Sequence, residues 1–349
     1  MTLVSRQYAF SIAVLSVALI VACAGDRPDR RTFEFRGPTM GTTYSVKVVT
    51  DREELAGHAQ SEIGEAIRLE LERIDSLMST WNAESELSRF NRSTSLTPFA
   101  VSPETFEVFR WSIDLGRLTG GALDVTVAPL VDAWGFGPGG RRAEAPGADE
   151  IARLRETVGL RYLELDARAL TVRKLRPDVY CDFSALAAGY AADRISMRLA
   201  DLGVTDFLVD MGGELRARGR NDAGNTWQIA IERPQPLGRS IERMVPLLDL
   251  AISTSGDYRN YYEVNGERIA HIVDPRTGRP IRHRLASVTV IDPLAVRADA
   301  LSTALMVLGP EDGVALAGQL DLAALFLVRN DAGGFTERVT PRFEAVTKP

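Results

Sequence analysis

A chain of 349 residues, 45% hydrophobic and 25% charged, has the make-up of an ordinary folded protein of one large or two smaller domains. Its 41 basic and 47 acidic residues leave a net charge of -6, which argues against a general nucleic-acid binder, whose surface must be basic to neutralise phosphates. Two cysteines and three histidines argue against a disulfide framework and a histidine-rich transition-metal centre, so any bound metal is expected to be a hard, oxygen-ligated cation.

The N-terminus, MTLVSRQYAFSIAVLSVALIVACAG, carries Arg6 in a short polar region and then an apolar run from Tyr8 to Ala22, the pattern of a secretory signal. LIVAC, ending at Cys23, resembles the lipobox of bacterial lipoproteins, in which the cysteine is lipidated and becomes the new N-terminus. The expectation is a lipoprotein signal peptide over 1–22, a lipidated Cys23, a polar tether over 23–36 and a folded body over 37–349. Such a protein is exported and lipid-anchored to a bacterial membrane, on its periplasmic or other extracytoplasmic face. Without residues 1–22 the balance is 40 basic against 47 acidic, since only Arg6 is lost. With Cys23 lipidated, Cys181 has no disulfide partner in the chain and reads as a small buried hydrophobe.

Along the body, TMGTTYSVKVVT alternates as a strand, and Ile63, Ile67, Ile74 and Leu77 or Met78 recur at helical intervals. A helix starts at Ser102, with Pro103 in its first turn, and stops at Gly120 and Gly121. The segment after Trp134, rich in glycine and proline, reads as a loop or lid, and LRYLELDARALTVRK as a hairpin. LTVRKLRPDVY reads as a strand running into CDFSALAAGYAAD, whose helix continues to about Leu202. FLVDMGGELRARG gives strand, Gly-Gly turn and strand. WQIAIERP, MVPLLDLAISTSG, RIAHIVDP, ASVTVIDP and AALFLVRN are further strands, with a helix over ADALSTALMVLG. Hairpins mixed with isolated helices predict an α+β body of largely antiparallel or mixed sheets with flanking helices.

No P-loop, HExxH, GxSxG or SxxK motif occurs, and GFGPGG at Gly135 is not a dinucleotide fingerprint. In CDFSALAAGYAAD, Asp182 is followed by Ser184, Ala185, Ala187, Ala188 and Gly189. Small residues at a helix start admit either a phosphate or metal close to the backbone, or ordinary close packing. Asp299 and Thr303 stand four apart and so share a helix face, where both can offer oxygen to one ion. Alternatively, the acid complements the helix dipole and the hydroxyl bonds back to its own helix. His271, at a strand end, titrates near neutrality and suits a general base, or else packs against Asp257 or Asp274. His283 reads as a surface residue and Asp274 as a turn residue.

The strings PTMGTTY, FSALAAGYAAD, VDMGGELRARG, STSGDYRNYYE, AHIVDPRTGRPI and VRADALSTALMVLG, in this order across residues 38–309, resemble the ApbE family of exported FAD:protein FMN transferases. The resemblance implies an enzyme that splits FAD at its pyrophosphate, releases AMP and joins FMN to a threonine hydroxyl of an acceptor flavoprotein subunit of a membrane redox complex. It implies Mg²⁺ held by Asp299, Thr303 and the Ala185 carbonyl, with His271 as general base. It also implies an FAD site lined by Met40, Trp81, Ala122, Leu123, Asp124, Asp182, Ala188 and Ile272. Trp81 suits stacking on a planar ring and Asp182 can accept hydrogen bonds from one. Two positions depart from the family: many members carry a long polar side chain at Ala188, and some carry a second acid at Ser302, so a single ion is expected. An FAD-binding protein without transfer activity and a metal-dependent FAD pyrophosphatase are the alternatives.

Overall fold

The computed structural model describes residues 30–50, 58–137, 140, 144–235, 238, 240–264 and 267–348; the expected signal peptide and Cys23 lie outside them. Strand β1 (Arg31–Thr39) begins inside the stretch expected to be a tether, and pairs along its whole length with β2 (Thr42–Thr50). Phe33 and Phe35 alternate with Thr32, Glu34 and Arg36, a period-2 pattern masked in the sequence by the arginines and prolines around it. Pro38 is tolerated because β1 is the edge of its sheet, where a missing N–H breaks no ladder.

Helix α1 (His58–Met78) follows, burying the expected Ile63, Ile67, Ile74 and Met78. Each such side chain taken fully out of water contributes about 1.5–3 kcal/mol. After α2 (Glu86–Arg92) and β3 (Phe99–Ala100), α3 (Pro103–Leu118) starts at the expected Ser102, whose hydroxyl accepts the Thr105 N–H. It stops where Gly120 and Gly121 take positive φ. The segment around Trp134 holds α4 (Ala128–Ala133) before the glycines and α5 (Ala148–Arg155) after them. The hairpin β4 (Leu163–Asp166) and β5 (Thr171–Lys174) forms as expected, with β3 added to its edge. The strand ends at Lys174, however, and residues 175–186 run without regular structure into α6 (Ala187–Asp201).

The remaining strands are β6 (Asp206–Met211), β7 (Glu214–Arg218), β8 (Trp227–Glu232), β9 (Ile241–Leu247), β10 (Ala251–Gly256), β11 (Tyr261–Val264), β12 (Glu267–Ala270), β13 (Val273–Asp274), β14 (Arg279–Pro280) and β15 (Leu285–Asp292). Helix α7 (Ala295–Gln319), β16 (Ala323–Arg329), β17 (Phe335–Val339) and α8 (Pro341–Val346) complete the described chain. MVPLLDLAISTSG, expected as one strand, is two, because Asp249 takes a left-handed φ of 54° between them. RIAHIVDP likewise splits into β12 and β13, leaving His271 and Ile272 on the link.

Eight strands form one sheet in the order β1-β2-β6-β7-β10-β15-β16-β17, every neighbouring pair antiparallel. One face carries the main core, with α1, α3, α6 and α7 packed over Val46, Val209, Val288 and Val290. The other face buries Ile252, Ile291, Leu325 and Leu327 under the β8–β9 hairpin and Phe343 of α8. Strand β15 is buried over its whole length, which explains its unbroken ASVTVI run. A third, smaller core joins Leu130 and Trp134 to Ile151, Ile269 and Val273. The α+β class and the antiparallel sheet expected from the hairpins are thus what the chain adopts. Helix α7 is long and apolar enough to cross a membrane, but α6, β10 and β15 occupy its apolar surface, and Gly309 (φ 82°) interrupts it before Pro310.

Candidate active site

The stretch CDFSALAAGYAAD is pinned at its start. The Asn91 side-chain amide donates to the Cys181 carbonyl and accepts the Cys181 N–H, each at 2.8 Å, and the Asp182 N–H donates to the Val125 carbonyl at 2.7 Å. Cys181 itself is fully buried, and burial pushes its thiol up, as a packed hydrophobe requires. Asp182 bonds Ser184 through both the N–H and the hydroxyl of that residue. Just beyond, α6 crosses α7 at Gly189, where a Cβ would stand 2.4 Å from the Ala295 carbonyl oxygen. Only glycine permits that approach.

At this crossing Asp299 is 5% exposed, and its Oδ2 accepts the Gly189 N–H at 3.0 Å. Among the described residues no cationic side chain pairs with it, and burial raises its pKa. Thr303 lies one turn along, its hydroxyl 2.9 Å from the Ser255 hydroxyl. The Ala185 carbonyl accepts no hydrogen bond among the described residues, because the first helical bonds of α6 run to Phe183 and Leu186 instead. Carboxylate, hydroxyl and carbonyl are hard oxygen donors of the kind Mg²⁺ takes, and three of them leave room for phosphate oxygens. No three His, Cys, Asp or Glu side chains that could hold a metal converge among the described residues, and one carboxylate, one hydroxyl and one carbonyl would need a substrate's oxygens to complete an ion's shell. Asp299, a buried carboxylate that no cationic side chain pairs with among the described residues, is the observation that fits the ion.

The residues expected to line FAD fall into three groups. Met40, at φ 42° in the β1–β2 turn, borders an open cleft of about 490 Å³ against α1, lined also by Tyr44, Leu71, Asp75 and Asn82. Trp81 adjoins Asn82 and is 74% exposed, a large apolar surface held in water. Ala122, Leu123 and Asp124 form the loop that the Val125 carbonyl ties to Asp182. Both Asp124 oxygens are engaged internally, Oδ1 by the Thr126 N–H and hydroxyl and Oδ2 by the Leu160 N–H, so its carboxylate shapes this loop. Ala188 lies partly exposed at the head of α6, and Ile272 is buried beside His271.

His271 sits on the β12–β13 link with its Nδ1 3.0 Å from the Asn260 carbonyl, which also accepts the His271 main-chain N–H. A carbonyl only accepts, so Nδ1 carries the proton of the neutral ring and Nε2 keeps its lone pair. Burial holds the ring pKa below its usual value. The Phe136 ring meets the imidazole edge-on at 6.2 Å and stacks on Tyr262. Asp257 acts on His271 only through its charge, while Asp274 closes its own turn with Arg276, as a turn residue does. His283 is not a surface residue: Gly309 leaves space for its ring, and its Nε2 bonds the Met306 carbonyl at 2.9 Å.

Three residues of this region lie within the quoted strings without a role assigned to them there. Glu214 opens β7 beside Asp299, and burial together with the Asp299 charge holds its pKa well above the carboxylate range. Ser255 links the hydroxyls of Ser302 and Thr303. Asp193 accepts the Ala295 and Val296 N–H groups, each at 2.9 Å. A glutamate directly after a Gly-Gly turn was the one available signal, since a charge is out of place in a strand that enters a core.

The model of the ApbE family matches residues 40–326. The FAD:protein FMN transferase of Vibrio cholerae is 42% identical over 335 residues, 95% of this chain and 97% of that protein. That of Haemophilus influenzae is 39% identical over 339 residues, covering 96% and 97%. Among solved structures, the flavin transferase ApbE from Vibrio cholerae superposes with a TM-score of 0.82 at 40% identity, over 91% of this chain and 99% of that one. The apo flavinyl transferase ApbE of Pseudomonas stutzeri gives 0.83 at 40% identity, over 91% and 97%. With the match running from the β1–β2 turn to β16, through both helices of the Gly189 crossing, the chain belongs to the ApbE family.

Proposed function

We propose that this chain is an FAD:protein FMN transferase that moves FMN from FAD to a threonine hydroxyl of an acceptor flavoprotein subunit and releases AMP. The observation that carries the reading is Asp299, a buried carboxylate with one oxygen on the Gly189 N–H and no cationic partner among the described residues. Asp299, Thr303 and the Ala185 carbonyl would hold Mg²⁺, which would supply positive charge against the pyrophosphate oxygens. His271 Nε2 takes the proton of the acceptor hydroxyl. The threonine oxygen bonds to the FMN phosphorus as the bond from that phosphorus to the bridging oxygen breaks, and AMP leaves with that oxygen. Trp81 and the cleft beside Met40 offer apolar surface for a flavin ring.

The leader ending in LIVAC supports export and lipid anchoring through Cys23, and hence a periplasmic site of action on subunits of membrane redox complexes. Incubating the purified chain with FAD, Mg²⁺ and an acceptor domain tests the reading by mass spectrometry. The expected result is an acceptor heavier by one FMN group, with AMP released in equal amount. Free FMN and AMP without an adduct identify a pyrophosphatase instead, and tight FAD binding with no product a flavin-binding protein; either outcome overturns the transferase reading.

A further inference from the structure

Helices α6 and α7 are joined by a reciprocal clasp. Gly189 and Ala295 touch at the crossing, and four residues beyond each of them a carboxylate reaches back to the other helix. Asp299 on α7 accepts the N–H of Gly189 on α6, and Asp193 on α6 accepts the N–H of Ala295 on α7. Asp193 uses its second oxygen on the Val296 N–H. The first N–H groups of a helix have no intrahelical acceptor, and Leu294, the residue preceding α7, caps none of them with its side chain. Ala295 and Val296 are 1% and 2% exposed, so without Asp193 their N–H groups would be buried with no acceptor. Arg216 stands behind this carboxylate with its Nε 3.9 Å from Asp193 Oδ1.

We propose that Asp193 is a positioning residue for the cation site, fixing the start of α7 against α6 so that Asp299 and Thr303 present their oxygens where the ion is held. The inference rests on the reading that these two residues bind a divalent cation. With Oδ2 on the Gly189 N–H, Asp299 keeps its Oδ1 without a hydrogen-bond partner among the described residues. Asp193 touches neither ion nor substrate in this arrangement, and acts through the register of α7.

Mn²⁺ binding to the full chain, followed by the resonance of the free ion in the presence of FAD and without acceptor, tests the assignment. Losing one or both cap bonds in Asp193→Asn and Asp193→Ala is expected to weaken Mn²⁺ binding by roughly fivefold to tenfold, the smaller effect in Asp193→Asn, which keeps one acceptor. FAD affinity without metal, read by flavin fluorescence, is expected to stay within about twofold of wild type. A residue that only supported the fold would lower the melting temperature and leave Mn²⁺ affinity of the folded protein unchanged; that result overturns the proposal. Should Asp193→Ala fail to fold, Asp193→Asn, of the same volume, carries the test. Wild-type protein that binds no Mn²⁺ overturns the cation reading itself, a different outcome from equal binding by wild type and variants.

Discussion

The carbonyl oxygen of Asn260 accepts both the main-chain N–H of His271, at 3.2 Å, and its ring Nδ1, at 3.0 Å. One acceptor therefore fixes the tautomer and the orientation of the only histidine in the candidate site. Replacing His271 with alanine removes the proposed base and is expected to slow FMN transfer by about 10²–10⁴-fold while FAD affinity is unchanged. Single-turnover transfer alongside FAD titration reads both, and a variant that transfers at the wild-type rate would show that another group takes the proton.

The same burial sets a pH dependence. His271 has its pKa lowered from 6.5, so the neutral ring survives further into acid than a free histidine. The folded state binds this proton less readily than the unfolded one, so the associated stability is complete above 6.5 and is lost as pH falls through the lowered value. The acid limb of the transfer rate is expected below pH 6.5 and is absent from the residual rate of His271→Ala. An acid limb centred above 6.5 would contradict the assignment.

For Asp299→Asn, the amide oxygen can still accept the Gly189 N–H, while the buried charge is gone. The melting temperature without metal is expected to hold or rise, because an unpaired buried carboxylate is costly. The further rise expected of the wild type with Mg²⁺ and FAD should then disappear. Thermal scans with and without Mg²⁺ and FAD decide it: a variant stabilised by the metal as strongly as wild type would remove Asp299 from the ligand set.

Gly189→Ala places a methyl group 2.4 Å from the backbone oxygen of Ala295, an atom that cannot turn aside. Separating two packed helices to admit it is expected to cost about 1–3 kcal/mol. Denaturant unfolding measures this directly, and a cost near zero would mean that the crossing is looser than its contacts imply.

Trp81 and Ala188 separate binding from folding. Trp81 is 74% exposed, so Trp81→Ala is expected to leave stability within about 0.5 kcal/mol and to weaken FAD binding by roughly threefold to tenfold through lost stacking. Ala188→Lys adds the length that the family resemblance implies at this position, and a phosphate contact made there is expected to tighten FAD binding by about fivefold. Isothermal titration of both variants checks the pair; unchanged affinities would place the flavin elsewhere.

Local pattern made much of the fold legible. Helical periodicity gave α1, the Ser102–Pro103 start gave α3, and the Gly-Gly turn gave β6 and β7, because each depends on neighbours in sequence. Strand β1 escaped because arginines and Pro38 disguise two alternating phenylalanines. Asp249 was unreadable as a break, since nothing local marks an aspartate that adopts a positive φ. In the site, motif resemblance supplied Asp299, Thr303 and His271. It left out Asp193 and Glu214, whose roles come from a helix crossing and a buried charge more than 80 residues away. His283 looked like a surface residue because IRHRL is polar, and only the interruption of α7 at Gly309 shows the space it occupies.

The clasp also sets an order of assembly. Its two halves join residues 110 and 102 positions apart, so neither exists in a chain that has folded only as far as α6. Contacts of such separation form late, after the loop between them has closed. The segment entering α6 holds the Ala185 carbonyl, whereas the carboxylate and hydroxyl proposed to join it at the ion, Asp299 and Thr303, stand on α7. If Asp299 and Thr303 hold the ion as proposed, recovery of metal affinity during refolding is expected to report the docking of α7, while helix content returns earlier and says nothing about it.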